Sequence, residues 1–340
     1  MILPAQIIQA PMAGAQGADL AIAVCRAGGI GSLPAAMLSA DILSQELEKV
    51  IQSVGDSPYN VNFFAHKTPS VSEQERVKWL TLLQPYLQEY GVSAEQVPAA
   101  PSRQPFNEEM LAIVQKYRPP IVSFHFGLPE ASLLAAVKAT GAKIWSSATT
   151  VEEARWLEAR GVDAVIAQGF EAGGHRGMFL NMDISQQMGT FALVPNIVRA
   201  VKCPVIAAGG ISNHQTAKLA LELGATSVQV GTAFLLADEA KITAAHRAAL
   251  QGAQAEHTVV TNLLSGRYAR GIPNRLMQEC GPIHADALAF PLAGNAIGLL
   301  KVQAEKQGKY DFSSFWAGQN ALLASPGTAQ QIMARLCGNA

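Results

Sequence analysis

The 340 residues carry 25 basic and 26 acidic side chains, a net charge of -1, and are 49% hydrophobic but only 15% charged. So even a balance excludes nucleic acid or an anionic membrane surface as the main partner, since both select a basic excess. The apolar fraction excludes disorder and supplies a large core. No stretch approaches the roughly 18 uncharged apolar residues of a membrane span, and the N-terminus lacks a basic region followed by a cleavable apolar run. A cytoplasmic location is therefore expected.

In chain order, a short apolar run at 7–12 breaks at Gly14, and a helical pattern at 18–26 is ended by Gly28 and Gly29. Residues 30–33 read as a second strand, 39–54 as a helix and 59–64 as a third strand. An irregular stretch follows, with helical character at 72–89 and a Pro/Ala/Ser-rich joint at 98–105. The rhythm then resumes: strand 120–126, helix 130–140, strand 143–147, helix 151–160, strand 162–168. After a long loop come helix 194–201, strand 204–208, helix 215–223 and strand 225–230. Eight strands with intervening helices, several continuously apolar, give an α/β chain built as a TIM-like (β/α)8 barrel. An open doubly wound sheet has the same alternation. The barrel is favoured because Met12, Asn62, His125, Ser147, Gln168, Gly210 and Thr232 all fall at or just past the ends of different strands, and residues from many strand ends converge only in a ring.

Two segments fall outside the repeat, one after the third strand and one after the eighth. Both leave from the face where barrels place their sites. They predict a second, mainly helical lid or substrate domain made of 67–106 and 236–311, over a barrel made of 1–66 and 107–235. Residues 312–340 are expected to pack back on the barrel, and a pocket between lid and barrel follows.

The glycines Gly28-Gly29-Ile30-Gly31 follow a helix and open a strand, the reverse of a dinucleotide fingerprint, and read as a helix cap. Gly209-Gly210 and Gly231-Thr232 end strands seven and eight, where barrels most often hold a phosphate. Residues without a Cβ let backbone N–H groups approach phosphate oxygens, and the Thr232 hydroxyl adds a donor. The loop Gln168-Gly169-Phe170-Glu171-Ala172-Gly173-Gly174-His175-Arg176-Gly177 brings backbone close to a bulky ligand and carries His175 to the mouth. An imidazole there can accept a proton from a carbon acid. His125 points to the same mouth, in a catalytic or a packed role; the other five histidines read as incidental. Asn62 and Gln168 can meet the edge of a heteroaromatic ring or cap loop carbonyls. Glu152 and Glu153 read as first-turn helix acids, and Arg267, Arg270, Arg275 and Lys301 as solvated surface charges. The cysteines Cys25, Cys203, Cys280 and Cys337 form no CxxC pair, and neither HExxH nor a tight His/Cys cluster is present, so no metal is expected.

The strings Ala10-Pro11-Met12-Ala13-Gly14, Val61-Asn62, Ser123-Phe124-His125-Phe126-Gly127, Glu171-Ala172-Gly173-Gly174-His175-Arg176-Gly177, Ala208-Gly209-Gly210-Ile211, Gln229-Val230-Gly231-Thr232 and Trp316-Ala317-Gly318-Gln319 resemble those of the nitronate monooxygenases. That resemblance covers nearly the whole chain and implies non-covalent FMN in a TIM-like barrel. By residue, it implies that Asn62, Gln168, Gly173, Gly210, Gln229, Val230, Gly231 and Thr232 bind FMN, and that Met12 packs beside its ring through backbone. His175 matches the active-site histidine of the family. The implied reaction takes an alkyl nitronate such as propionate 3-nitronate and O2 to a carbonyl compound and nitrite, through a flavin semiquinone. The nearest rival is an NAD(P)H-dependent FMN reductase, either a quinone reductase or the flavin type of enoyl-acyl-carrier reductase. A non-catalytic barrel binding a phosphorylated ligand is the rival from another class.

Overall fold

A computed structural model of the protein describes residues 2–339. Eight parallel strands form one sheet: β1 (Ile7–Gln9), β2 (Gly31–Pro34), β3 (Tyr59–Phe64), β4 (Ile121–His125), β5 (Lys143–Ala148), β6 (Ala164–Gln168), β7 (Val205–Ala208) and β8 (Ser227–Val230). Their order is β1-β8-β7-β6-β5-β4-β3-β2. The remaining seam is sewn by a parallel bridge between Ile8 and Ile30. There Gln9 N donates to the Ile30 carbonyl at 2.9 Å and Ile30 N to the Ile7 carbonyl at 3.0 Å. The sheet is therefore a ring, and the open doubly wound alternative is excluded.

Strand parity sorts the side chains into two layers. Ile8, Ile166, Ile206 and Ala208 form a small cluster of their own with Ile30 and Trp145. Their alternate neighbours, such as Val61, Val122, Val165, Val205 and Val230, join the large core shared with the surrounding helices. The helix Ala40–Val54 shows how that layer is built: Ser39 caps it by accepting the Ile42 N–H, and Leu43, Leu47, Val50 and Val54 are its buried stripe. The final helix, Ala329–Cys337, also packs on the barrel, burying Ile332, Met333 and Leu336 in that core.

Three features depart from the sequence reading. Helix Glu108–Tyr117, capped by Asn107 on the Met110 N–H, lies in the stretch read as irregular. It is the barrel helix that follows β3, so the excursion interrupts a βα unit. The helix before β7 starts at Thr190, earlier than the periodicity suggests, and carries Pro195 inside it. The region after β8 is not purely helical. Its strands Val259–Thr261 and Ala269–Gly271 pair antiparallel, and the second also pairs with Gly174–His175 in the loop after β6.

The two excursions share a core. Trp79, Leu83, Tyr86 and Leu87 of the first pack with Leu276, Ile297 and Leu300 of the second, and Phe312, expected with the barrel, joins the same core. That body sits against the C-terminal mouth of the barrel. No helix among the described residues is long and apolar enough to cross a membrane.

Candidate active site

A cavity of about 480 Å³ occupies the barrel mouth beneath this second body, within the roughly 300–1,000 Å³ usual for ligand sites. Met12, Asn62, His125, Ser147, Gln168, Gly210 and Thr232, singled out as strand-end residues, all line it, as do Gly173, His175, Gln229 and Gly231. Val230 does not. It follows Gln229 by one residue, so parity turns its side chain into the helix layer, where it is fully buried. Its carbonyl accepts the Ala10 N–H at 2.8 Å, so its part is to join β8 to β1.

The histidine loop is held by buried polar side chains. Arg176 is fully buried and donates to the Gly169 carbonyl at 2.6 Å, to the Gln168 carbonyl at 2.8 Å and to Gln187 Oε1 at 2.8 Å. Gln168 Nε2 donates to the His175 carbonyl at 2.9 Å, while its Oε1 accepts the Gly177 N–H at 2.7 Å. The Gln168 amide thus anchors the loop at both ends and keeps one N–H and one lone pair for a further partner. Glu153, read as a helix-dipole acid, is buried and accepts from Thr149 N, Thr149 Oγ1, Phe179 N and Leu180 N, tying the far end of the loop to β5.

His175 itself pairs in register with Ala269, and its Nε2 lies 2.8 Å from Ser265 Oγ. Trp316 and Phe290 flank its ring, with centroids 5.5 Å away in both cases. Burial, and then the positive charge of Arg103, holds its pKa well below the usual value, so it is neutral at neutral pH. His125 has a different task. Its Nε2 lies 3.1 Å from the His175 carbonyl, which can only accept, so Nε2 carries the proton. Nδ1 then accepts the Ser147 hydroxyl at 2.9 Å. With both nitrogens committed and burial pushing its pKa down to about 4, His125 is a strut for the loop.

On the opposite rim, Gly209 and Gly210 take φ values of +112° and +69°, which side chains with a Cβ rarely adopt. The N–H groups of Gly210, Ile211 and Gly231 find no acceptor among the described residues. The C-terminal tail closes over them. Thr232 Oγ1 accepts the Gly318 N–H at 3.0 Å, which leaves the hydroxyl proton for another acceptor. Asn320 Nδ2 donates to the Gly210 carbonyl, and Ser212 Oγ to the Asn320 carbonyl at 3.1 Å. Gly173 is required here by contact: a Cβ would lie 2.6 Å from Ala317 C and Gly318 N. Asn62 donates to Ser123 Oγ at 2.9 Å from β3. Gln229 Oε1 is buried with no partner.

Several residues were missed or misread from sequence. His246, taken as incidental, lines the cavity and contacts the Trp316 carbonyl at 3.1 Å through Nε2. His66 is buried against Phe290, with ring centroids 4.9 Å apart. Arg270 and Arg267 are not surface charges. Arg270 is buried and donates to the Phe170 carbonyl at 3.0 Å. The Arg267 guanidinium lies 4.0 Å over the Phe126 ring, and burial pushes its pKa down to about 10. Arg275, by contrast, joins a partly exposed ion network with Glu89, Glu279 and Asp311, and Lys301 pairs with Glu305 at the cavity wall.

Comparison with known proteins agrees with this geometry. A family model described as nitronate monooxygenase matches residues 2–339. A nitronate monooxygenase of Pseudomonas aeruginosa is 40% identical over 333 residues, covering 97% of this chain and 94% of the relative. One from Paraburkholderia phytofirmans is 38% identical over 336 residues, covering 97% and 90%. Among solved structures, nitroalkane oxidase from Streptomyces ansochromogenes superposes with a TM-score of 0.90 at 34% identity, covering 99% of this chain and 96% of that one. FabK from Thermotoga maritima superposes with a TM-score of 0.72 at 26% identity, covering 99% and 93%. The chain belongs to the nitronate monooxygenase family and is an oxidoreductase of nitro compounds in their nitroalkane or nitronate form.

Proposed function

We propose that the cavity binds FMN and that the protein oxidises alkyl nitronates, propionate 3-nitronate among them, with O2 to a carbonyl compound and nitrite. The observation that carries this reading is one cavity with two unlike rims. Free backbone donors at the ends of β7 and β8 suit a phosphate, and a neutral imidazole faces them from the loop after β6. The residues present fit a flavin. Gly210, Gly231 and Thr232 offer N–H and hydroxyl donors to a phosphate, Gln229 Oε1 is an orphaned acceptor for a ring N–H, and Met12 and Asn62 line the floor between them. The barrel segments 1–66 and 107–235 would hold the cofactor, and 67–106 with 236–311 would close the substrate side.

A bound FMN would supply an electron acceptor for the substrate and an electron donor towards O2. The protein's part is positional. Phe290 and Trp316 wall the site around His175 and keep water out. Ser265 fixes the His175 ring, and the neutral imidazole can donate one hydrogen bond to a nitro oxygen of the substrate. A preformed nitronate needs no proton removed. A neutral nitroalkane does, and an imidazole held well below its usual pKa is a weak base for that step. Arg103 and Arg267 beside it favour an anionic substrate over a neutral one.

The likeness to FabK keeps an NAD(P)H-dependent reductase as the second reading. Mixing the FMN-loaded protein anaerobically with NADH separates the two. Slow or absent flavin bleaching, with rapid oxygen uptake on adding a nitronate, is the expected pattern; rapid bleaching by NADH supports the reductase.

A further inference from the structure

The cavity wall contains four formally charged side chains: Arg103, Lys241, Lys301 and Glu305. Three are neutralised within the protein. Lys301 and Glu305 lie 3.8 Å apart, with Ser313 Oγ donating to Glu305 at 2.7 Å. Lys241 lies 3.8 Å from Asp19. Arg103 differs: among the described residues no carboxylate pairs with it and no acceptor takes its guanidinium N–H groups. Its one close partner is the Phe290 ring, 5.7 Å from the guanidinium carbon. Arg103 is half-buried, and its partial desolvation lowers its pKa. A partly desolvated charge without a counter-ion is a ready partner for a bound anion.

Position says which anion. The strands run round the ring in sequence order, and Phe106 N donates to the Phe64 carbonyl at 2.8 Å, so the segment carrying Arg103 returns to the end of β3, across the mouth from the end of β7. The free amides of Gly210 and Ile211 are at the β7 rim. A phosphate bound there leaves Arg103 unanswered. Arg103 is instead on the side of His175, whose imidazole feels its charge more than that of any other group, and shares the Phe290 wall with it.

We propose that Arg103 is a counter-ion subsite that selects nitronates bearing a carboxylate at the end remote from the nitronate carbon. The planar fork of the guanidinium can take both carboxylate oxygens while the nitronate end lies by His175. This inference rests on the nitronate reading above and adds to it a residue that sets specificity.

The test is oxygen uptake by the FMN-loaded protein with two nitronates of similar length, propionate 3-nitronate and butyl-1-nitronate. The wild-type protein should show a KM for the carboxylate-tailed substrate lower by about 10–100-fold, the usual worth of a charged hydrogen-bonded pair. In Arg103→Met the ratio of the two kcat/KM values should collapse towards one, chiefly through KM. Arg103→Lys should recover part of it, since it restores charge but not the fork. The wild-type comparison needs no variant, so a misfolded Arg103→Met does not remove the test. Equal KM values in the wild type, or a ratio that survives Arg103→Met in a folded protein, overturn the subsite. Absence of turnover with both substrates overturns the nitronate reading instead.

Discussion

Replacing Gly173 with alanine should loosen the whole phosphate rim. The added Cβ would sit 2.6 Å from Ala317 C and Gly318 N and 3.0 Å from Ala317 Cα. Carbon atoms rest about 3.5–4.0 Å apart, so the tail must retreat by roughly 1 Å. Both sides of the clash are backbone, and no side-chain rotation relieves it. The tail is held by Gly318 N on Thr232 Oγ1 at 3.0 Å, Gln319 N on the Glu171 carbonyl at 2.9 Å and Ser212 Oγ on the Asn320 carbonyl at 3.1 Å. A displacement of that size takes each beyond hydrogen-bonding distance. At about 0.5–1.5 kcal/mol net for each of the three, the loss is roughly 2–4 kcal/mol. Expressed in ligand affinity, that is on the order of 30- to 1,000-fold weaker FMN binding. Flavin-fluorescence titration of the apoprotein, beside the urea midpoint, measures both effects. Wild-type FMN affinity in a Gly173→Ala protein would show that the tail does not form the rim described here.

Other perturbations separate the roles of the loop residues. His175→Asn should retain FMN and lose most turnover of neutral nitroalkanes, with a smaller loss on preformed nitronates; equal losses would remove its proton-accepting role. Arg176→Met should destabilise the protein by about 2–4 kcal/mol, because three acceptors lose their donor in a buried site, and Arg176→Lys should not restore the urea midpoint, since an ammonium cannot span them. Acid should destabilise the fold between pH 6.5 and 4. His66, His125 and His246 are each pushed down to about 4 by burial, whereas in the unfolded chain they titrate near 6.5. Below that pH the unfolded state binds protons that the folded state refuses at these three and at His175, also held well below its usual value, so stability falls as pH falls, by an uptake approaching about four protons on unfolding. Tm measured from pH 7 to pH 4.5 checks the sign; a rising Tm on acidification contradicts it.

The barrel and the rims of its mouth were legible because they follow from local chemistry. Continuous apolar runs such as 59–64 mark strands covered on both faces, and the glycines at 209–210 and 231 mark where a backbone must bend or approach a ligand. Gln168 and His175 stood out because they end a strand or follow one closely, and Asn62 because it lies in the last half of β3. What sequence could not show depends on contacts between distant segments. Gln168 reads equally as a ring-edge amide or a cap on loop carbonyls until His175 and Gly177 are seen to meet its two ends. Val230 belongs to the motif Gln229-Val230-Gly231-Thr232, yet parity sends it into the helix layer; counting outward from the inward-facing Gln229 would have told them apart. Arg267 and Arg270 read as surface charges because nothing local shows the aromatic rings of Phe126 and Phe170 that cover them. The alternation of Tyr268-Ala269-Arg270-Gly271-Ile272 is the one local sign that Arg270 sits in a strand. His246 and Arg103 reach the cavity from separate excursions, and only their folding back over the mouth brings them there.

The most direct measurement is oxygen uptake with nitrite release when an alkyl nitronate is added to the FMN-loaded protein in the absence of any nicotinamide cofactor. Uptake and nitrite appearing together, and both lost when FMN is stripped from the protein, are the expected result. A yellow, FMN-bound protein that leaves oxygen and nitronate untouched, yet bleaches at once with NADH, would contradict it.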